Sequence, residues 1–86
     1  MVNISKETGD FAWKNKMAII PCEENVVYIF YYNDICDEVR LTAKLISLIK
    51  KDNPTLMVTA LTVVTTSVSK GGASKGGAII NFEGKR

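Results

Sequence analysis

Histidine is absent from the 86-residue chain. It is the side chain that titrates near neutral pH, and it is the commonest general base and the commonest metal ligand. Its absence excludes Ser-His and Cys-His nucleophilic sites within one chain. A zinc site would have to combine the two cysteines with carboxylates, which is an unusual ligand set. We therefore predict a protein that is not an enzyme and that uses no metal and no cofactor.

Cysteine, proline and long apolar runs are scarce. The chain has two prolines and two cysteines, Cys22 and Cys36, which are too few for a disulfide scaffold. The first ten residues, MVNISKETGD, are polar and do not resemble a signal region. No apolar stretch reaches the roughly 18 residues that cross a bilayer. These features predict a reduced, cytoplasmic protein without a membrane partner.

The length of 86 residues predicts one small domain, residues 1–86. A chain of this size buries only about 60% of the surface that its unfolded form exposes, so its core is thin. Apolar residues make up 47% of the chain and charged residues 23%, as in ordinary globular domains. We expect residues 1–10 to be loosely ordered.

Two segments of the first half have the composition of strands. Residues 11–20 alternate large apolar side chains with small or basic ones, which predicts a half-buried strand. Pro21 ends that strand or places it at a sheet edge. Residues 26–32, VVYIFYY, are all β-branched or aromatic, which predicts a central strand covered on both faces. The short loop between them allows a hairpin.

Residues 33–54 carry the signals of a helix. Asn33 or Asp34 can cap its start, and Asn53 with Pro54 can end it. Its apolar side chains form two neighbouring stripes at helical spacing, of which one suffices to cover a small sheet. The second stripe needs another partner, either the N-terminal segment or a second copy of the chain. The candidate oligomer interface consists of Leu41, Leu45 and Leu48.

Residues 55–68 are rich in valine and threonine, which predicts a long strand with a bulge or bend. A helix is the alternative, because no helix breaker interrupts the run. Residues 78–85 have the composition of a last strand. The predicted fold is a small α+β domain of order β-β-α-β-β, with a mostly antiparallel four-stranded sheet and one helix on one face.

The segment SKGGASKGG, residues 69–77, predicts a flexible loop between the last two strands. The same segment could bind an anion, because glycine amides approach phosphate closely and lysine and serine add donors. Its spacing fits neither a Walker loop nor a dinucleotide-binding fingerprint. The candidate residues for a nucleic acid or nucleotide are Ser69, Lys70, Gly71, Gly72, Ser74, Lys75, Gly76 and Gly77, with Arg40, Lys44 and Lys51 on the helix.

Two classes of function remain open. The favoured one is a small non-catalytic regulatory module that binds protein through a sheet edge or a helix face and associates with itself as a homodimer. The alternative is binding of nucleic acid or a phosphate-bearing nucleotide through residues 69–77. Aromatic side chains of residues 28, 30 and 32 share one strand face and could stack bases if Lys14 and Lys16 lay beside them.

Overall fold

The structure is a computed structural model, and it describes residues 2–35, 38–68 and 74–84. The four strands form one antiparallel sheet in the order β1-β2-β4-β3. The predicted α+β class and the β-β-α-β-β order are confirmed, with one further helix in front. The elements are α1 (Lys6–Lys14), β1 (Met17–Glu23), β2 (Val26–Ile35), α2 (Glu38–Asp52), β3 (Leu56–Val68) and β4 (Ser74–Gly84).

Helix α1 begins at a side-chain cap. The hydroxyl oxygen of Ser5 accepts a hydrogen bond from the main-chain N–H of Thr8, so one of the free N–H groups of the first turn is satisfied. The helix ends at Lys14 with Asn15 as its C-cap, and Lys16 follows with a φ of 59°, in the left-handed region where helices commonly stop.

The predicted strand over residues 11–20 is therefore wrong in its first part. Residues 11–14 are helical, and β1 begins only at Met17. A helix turns Trp13 about 200° from Phe11, whereas a strand would keep both on one face. Trp13 is 75% exposed as a result. Residues 6–10, expected to be loosely ordered, form the first part of this helix.

Strand β2 is central, as predicted, and it joins β1 through a tight turn after Glu23. Its alternate residues Val27 and Ile29 are completely buried. Phe30 on the opposite face is 45% exposed. The expectation that this strand is covered on both faces is therefore wrong within one chain, because the helices cover one face only.

Helix α2 starts later than predicted. β2 continues through Asn33 and Asp34 to Ile35, so neither residue caps the helix. The end of the helix agrees with the prediction, since the main-chain N–H of Asn53 makes the last helical bonds, to the carbonyl oxygens of Ile49 and Lys50.

Residues 56–68 are a strand, so the helix alternative is wrong. The predicted irregularity is present twice, as register shifts between Val58 and Ala60 and between Thr65 and Ser67. β4 begins at Ser74, four residues before the predicted start of the last strand.

One core lies between the helices and one face of the sheet, here called the inner face. Ala12 of α1 and Leu45 and Ile49 of α2 are buried there. The strands contribute alternate residues from β1, β2 and β4 to the same cluster. These are Met17, Val27, Ile29, Tyr31, Ala78, Ile80 and Phe82. The opposite face, here called the outer face, has no helix over it among the described residues.

Candidate interaction surfaces

The predicted basic loop is shorter than its composition indicates. β4 begins at Ser74, so the second half of the segment, from Ser74 to Gly77 and including Lys75, is strand. The first half lies outside the described residues, and it contains Ser69, Lys70, Gly71 and Gly72. The anion-binding hypothesis for this segment therefore stays a prediction.

Gly76 and Gly77 lie in the sheet at positions where a residue with a side chain would not fit. Gly76 has a φ of 147°, which residues with a side chain rarely adopt. Gly77 pairs with Phe30 on one side and Val64 on the other, and a Cβ at this position would overlap the main-chain oxygen of Ile29. These glycines thus permit a close approach of strands.

The basic ridge predicted on α2 is an exposed face. Arg40, Lys44 and Lys51 are all exposed, as is Ser47. The Nζ atom of Lys44 lies 5.5 Å from the centre of the Phe11 ring, within the range of a cation–π contact. Lys44 therefore links α2 to α1, and nucleic-acid binding by the ridge stays a prediction.

The leucine stripe does not form a free interface. Leu45 is 0% exposed and belongs to the core, and Leu41 and Leu48 are half-buried. Helix α1 packs against α2, so the N-terminal segment, one of the two predicted partners of this helix, covers part of it. Leu45 is therefore part of the core of one chain, and an oligomer interface formed by Leu41, Leu45 and Leu48 stays a prediction.

Asn53 anchors the N-terminal segment to the end of α2. Its Oδ1 accepts a hydrogen bond from the main-chain N–H of Asn3 at 2.8 Å, and its Nδ2 donates to the carbonyl oxygens of Asn3 and Ile49, each at 2.8 Å. The residue is buried, and its amide is well matched by these partners. It was predicted only as a helix stop, because a contact across 50 residues leaves no local pattern.

Asp52 completes this anchor. Its Oδ2 accepts hydrogen bonds from the Thr8 hydroxyl at 2.6 Å and from the main-chain N–H of Ser5 at 3.0 Å. Burial raises the pKa of this carboxyl, but the hydrogen bonds from Thr8 and Ser5 and the charge of Lys51 together outweigh it. The net result is a pKa below the usual value. The carboxylate serves as an acceptor that holds α1 in place.

Two contacts of β4 show which of its main-chain groups bond to β2 and which bond to β3. The main-chain N–H of Phe82 donates to the carbonyl oxygen of Asn25, on the β2 side, at 2.8 Å. Bonding direction alternates along an antiparallel strand, so Asn81 turns toward β3. In agreement, the carbonyl oxygen of Asn81 accepts from the Thr59 hydroxyl of β3 at 3.3 Å.

This alternation sets which groups of β3 face the free edge. Ala60, Thr62 and Val64 pair with residues 81, 79 and 77 of β4 in an unbroken register, so their main-chain groups point into the sheet. The residues between them, Leu61 and Val63, consequently turn their N–H and C=O groups to the free edge. No charged residue and no proline occurs in β3.

The other edge strand, β1, is different. Pro21 pairs with Val27, which bonds to β4, so the nitrogen of Pro21 faces the free edge and has no proton to donate there. The register of β1 shifts between Pro21 and Glu23, and Glu23 adds an exposed charge. Proline, a bulge and a charge are the devices that stop an edge from pairing with other strands.

An apolar groove lies between α2 and β3 on the inner face. Its volume is about 150 Å³, and Leu61 and Val63 form one wall. They are 47% and 51% exposed, and Val39 at the α2 wall is 76% exposed. The Tyr31 hydroxyl lies 2.7 Å from the Thr42 hydroxyl, in a buried hydrogen bond at the groove. The helix thus leaves the β3 side of the inner face uncovered.

A second apolar groove, of about 400 Å³, lies on the outer face. Phe30 and Val64 flank the bare backbone of Gly77, and the rings of Tyr28 and Phe30 stack with centres 5.6 Å apart. The basic residues suggested to accompany these rings do not lie on a strand beside them. Lys14 ends α1, and Lys16 is in the turn that follows.

Other kinds of site find little support. Within residues 2–35, 38–68 and 74–84, no cluster of metal-binding side chains occurs. No helix in this part of the chain is long and apolar enough to cross a membrane. Cys22 is exposed as a free thiol.

No protein-family model, no curated protein and no solved structure matches the chain.

Proposed function

We propose that this protein is a non-catalytic binding module that works through protein–protein contacts and associates with itself. The observation that carries the proposal is the free edge of β3, a strand of 13 residues without charge or proline. Such an edge presents unpaired N–H and C=O groups to any strand that can lie beside it. The apolar groove next to the same edge offers side-chain contacts to the same partner.

The surroundings of this edge support a protein partner over a nucleic acid. Leu61, Val63 and Val39 are aliphatic and substantially exposed. A nucleic acid would need several cations near its phosphates, but Arg40, Lys44 and Lys51 lie on another side of α2, and Lys50 alone among the exposed cations of that helix follows the groove wall at helical spacing. A protein strand needs only matching main-chain groups and apolar side chains, which this region has.

Mass in solution tests the proposal. Light scattering over about a hundredfold range of concentration should show the mass rising from 9.5 kDa toward twice that value. Tm should rise with concentration as well, because association stabilises the folded chain. A chain that stays monomeric over the whole range contradicts the proposal.

The nucleic-acid alternative is tested in parallel. Fluorescence anisotropy with labelled single-stranded and double-stranded DNA at low salt should show no binding. Affinity that falls steeply with added salt would favour the alternative, because counterions are released when phosphates are bound. Lys70→Ala with Lys75→Ala would then decide whether residues 69–77 are the site.

A further inference from the structure

We infer that the strand received by the β3 edge is β3 of a second copy, paired antiparallel about a two-fold axis through Thr62. This inference rests on the proposed function and gives the contact a register. A two-fold interface brings the same surface together from both copies, so the surface must be complementary to itself. An uncharged strand meets that condition without repulsion between like charges.

The direction of the main-chain groups fixes the register. Leu61 and Val63 are the residues whose N–H and C=O groups face the free edge. An axis through Thr62 sets Leu61 of each copy opposite Val63 of the other, so both pairs can exchange two hydrogen bonds. Thr62 of one copy then lies opposite Thr62 of the other in a narrow, non-hydrogen-bonded pair. Threonine pairs are favourable at such positions.

The same register matches the two sheet faces. Leu61 pairs with Ile80 of β4 and Val63 with Ala78, and both partners are buried on the inner face. Pairing about Thr62 therefore keeps both inner faces on one side and joins two four-stranded sheets into one of eight. A slip of one residue would place each inner-face side chain opposite an outer-face side chain.

The second copy also covers the groove between α2 and β3. Leu61 and Val63 of the two copies would form one aliphatic cluster beside both grooves. The α2 wall there consists of Val39, Thr42, Ala43 and Ile46, which carry no charge. Arg40, Lys44 and Lys51 lie on a different side of the helix, whereas Lys50, four residues after Ile46, lies on the groove side in the last turn of α2. The two helices can therefore approach along the uncharged wall at Val39 and Ala43, away from the turn that carries Lys50.

Disulfide trapping tests this register. In a chain with Cys22→Ser and Cys36→Ser, Thr62→Cys should form a cross-linked dimer under mild oxidation. Cα atoms of such a non-hydrogen-bonded pair lie about 4.5 Å apart, within the range that a disulfide spans. The matched control is Val64→Cys, which should not cross-link, because each Val64 lies opposite Ala60 of the other copy. Combining Ala60→Cys with Val64→Cys should restore the cross-link.

A charge at the edge tests the contact itself. Val63→Lys should weaken dimerisation about a hundredfold or more, since it places a cation in each half of the aliphatic cluster. Ile20→Lys is the matched control, because Ile20 is a similarly exposed aliphatic residue on the other edge strand. It should leave the dissociation constant unchanged.

The outcomes separate the inference from the proposed function. A dimer that survives Val63→Lys, is lost with Phe30→Ser and gives no Thr62→Cys cross-link overturns β3 pairing and places the outer faces together. Self-association would then remain true. A chain that is monomeric throughout overturns both. A Thr62→Cys cross-link together with loss of the dimer in Val63→Lys supports the inference.

Discussion

The two halves of the sheet differ in how far helices cover them and in how their edge strands are protected. The half formed by β1 and β2 is covered by α1, which is anchored to α2 by Asn53 and Asp52. Its edge carries Pro21, a register shift and Glu23. The half formed by β4 and β3 has an open groove on its inner face and an edge strand without a charge.

This difference shows that the exposed main-chain and apolar side-chain groups of this small domain are concentrated in one region. The two helices of this short chain cover only part of the inner face among the described residues. The cover is concentrated on the β1 side, and main-chain and side-chain exposure coincide on the β3 side. Coincidence of a free edge with an apolar groove is what points to a contact surface rather than to thin packing.

The largest expected effect is at the joint between the halves. Gly77→Ala places a Cβ against the main-chain oxygen of Ile29, where β2 and β4 meet. We expect the free energy of unfolding to fall by about 2–3 kcal/mol, as for other overpacked buried positions. Urea denaturation followed by circular dichroism measures it. Gly84→Ala is the control, since a Cβ there has no neighbour within 4 Å. Equal stability of the two variants would contradict the described joint.

Loss of the anchor of α1 should loosen this helix and so expose the half of the sheet that it covers. Asn53→Ala leaves the main-chain N–H and C=O of Asn3 without their side-chain partner, and we expect a loss of about 2 kcal/mol. Hydrogen exchange should quicken in α1. Asn3→Ala is the matched control, because Asn3 takes part in these bonds through its main chain only. An equal loss in both variants would mean that the anchor lies elsewhere.

Acid should loosen the same anchor. The pKa of Asp52 is lowered in the folded chain, so its contribution to stability is present above the ordinary carboxyl value of 3.8. It is lost as the pH falls below 3.8 through the folded pKa. Asp52→Asn should remove this part of the pH dependence and cost about 1 kcal/mol at neutral pH. Thermal unfolding across pH measures both, with Asp10→Asn on the exposed side of α1 as the control. An unchanged acid profile in Asp52→Asn would count against this role.

The smallest effect is expected at the protected edge. Pro21→Val supplies the missing N–H of β1, and stability should change by less than about 1 kcal/mol. Association above the dimer should increase slightly at high concentration, as measured by light scattering. If Pro21→Val and wild type behave alike at every concentration, the proline is not what protects β1.

The sequence predicts elements well where local composition decides the structure. Valine and threonine from 55 to 68 predict β3, and the residues between Asn33 and Pro54 predict most of α2. The sequence does not predict helix α1, because Phe11 and Trp13 alternate as in a strand and lie on opposite sides of the helix. The contacts that stabilise it come from Asp52 and Asn53, far along the chain.

The candidate surface was predictable only in kind. A free sheet edge was expected, but composition does not tell which strand lies at an edge. That depends on the pairing of β2 with β4, which are separated by α2 and β3. The sequence places Gly76 and Gly77 in a loop, because the tertiary neighbour of Gly77, the carbonyl of Ile29, leaves no pattern in the local sequence. Once the strand order places β3 at an edge, the absence of charge between Leu56 and Val68 indicates an edge that is open to pairing.

The proline of β1 has a consequence for how far assembly can proceed. If β3 could add to β1 of the next copy, head-to-tail growth would continue without limit and give fibres. A joined pair that uses both β3 strands leaves only two β1 strands at its margins, and each carries Pro21 facing outward. In the proposed pair, the N–H that Pro21 lacks at each margin would therefore disfavour the addition of further copies.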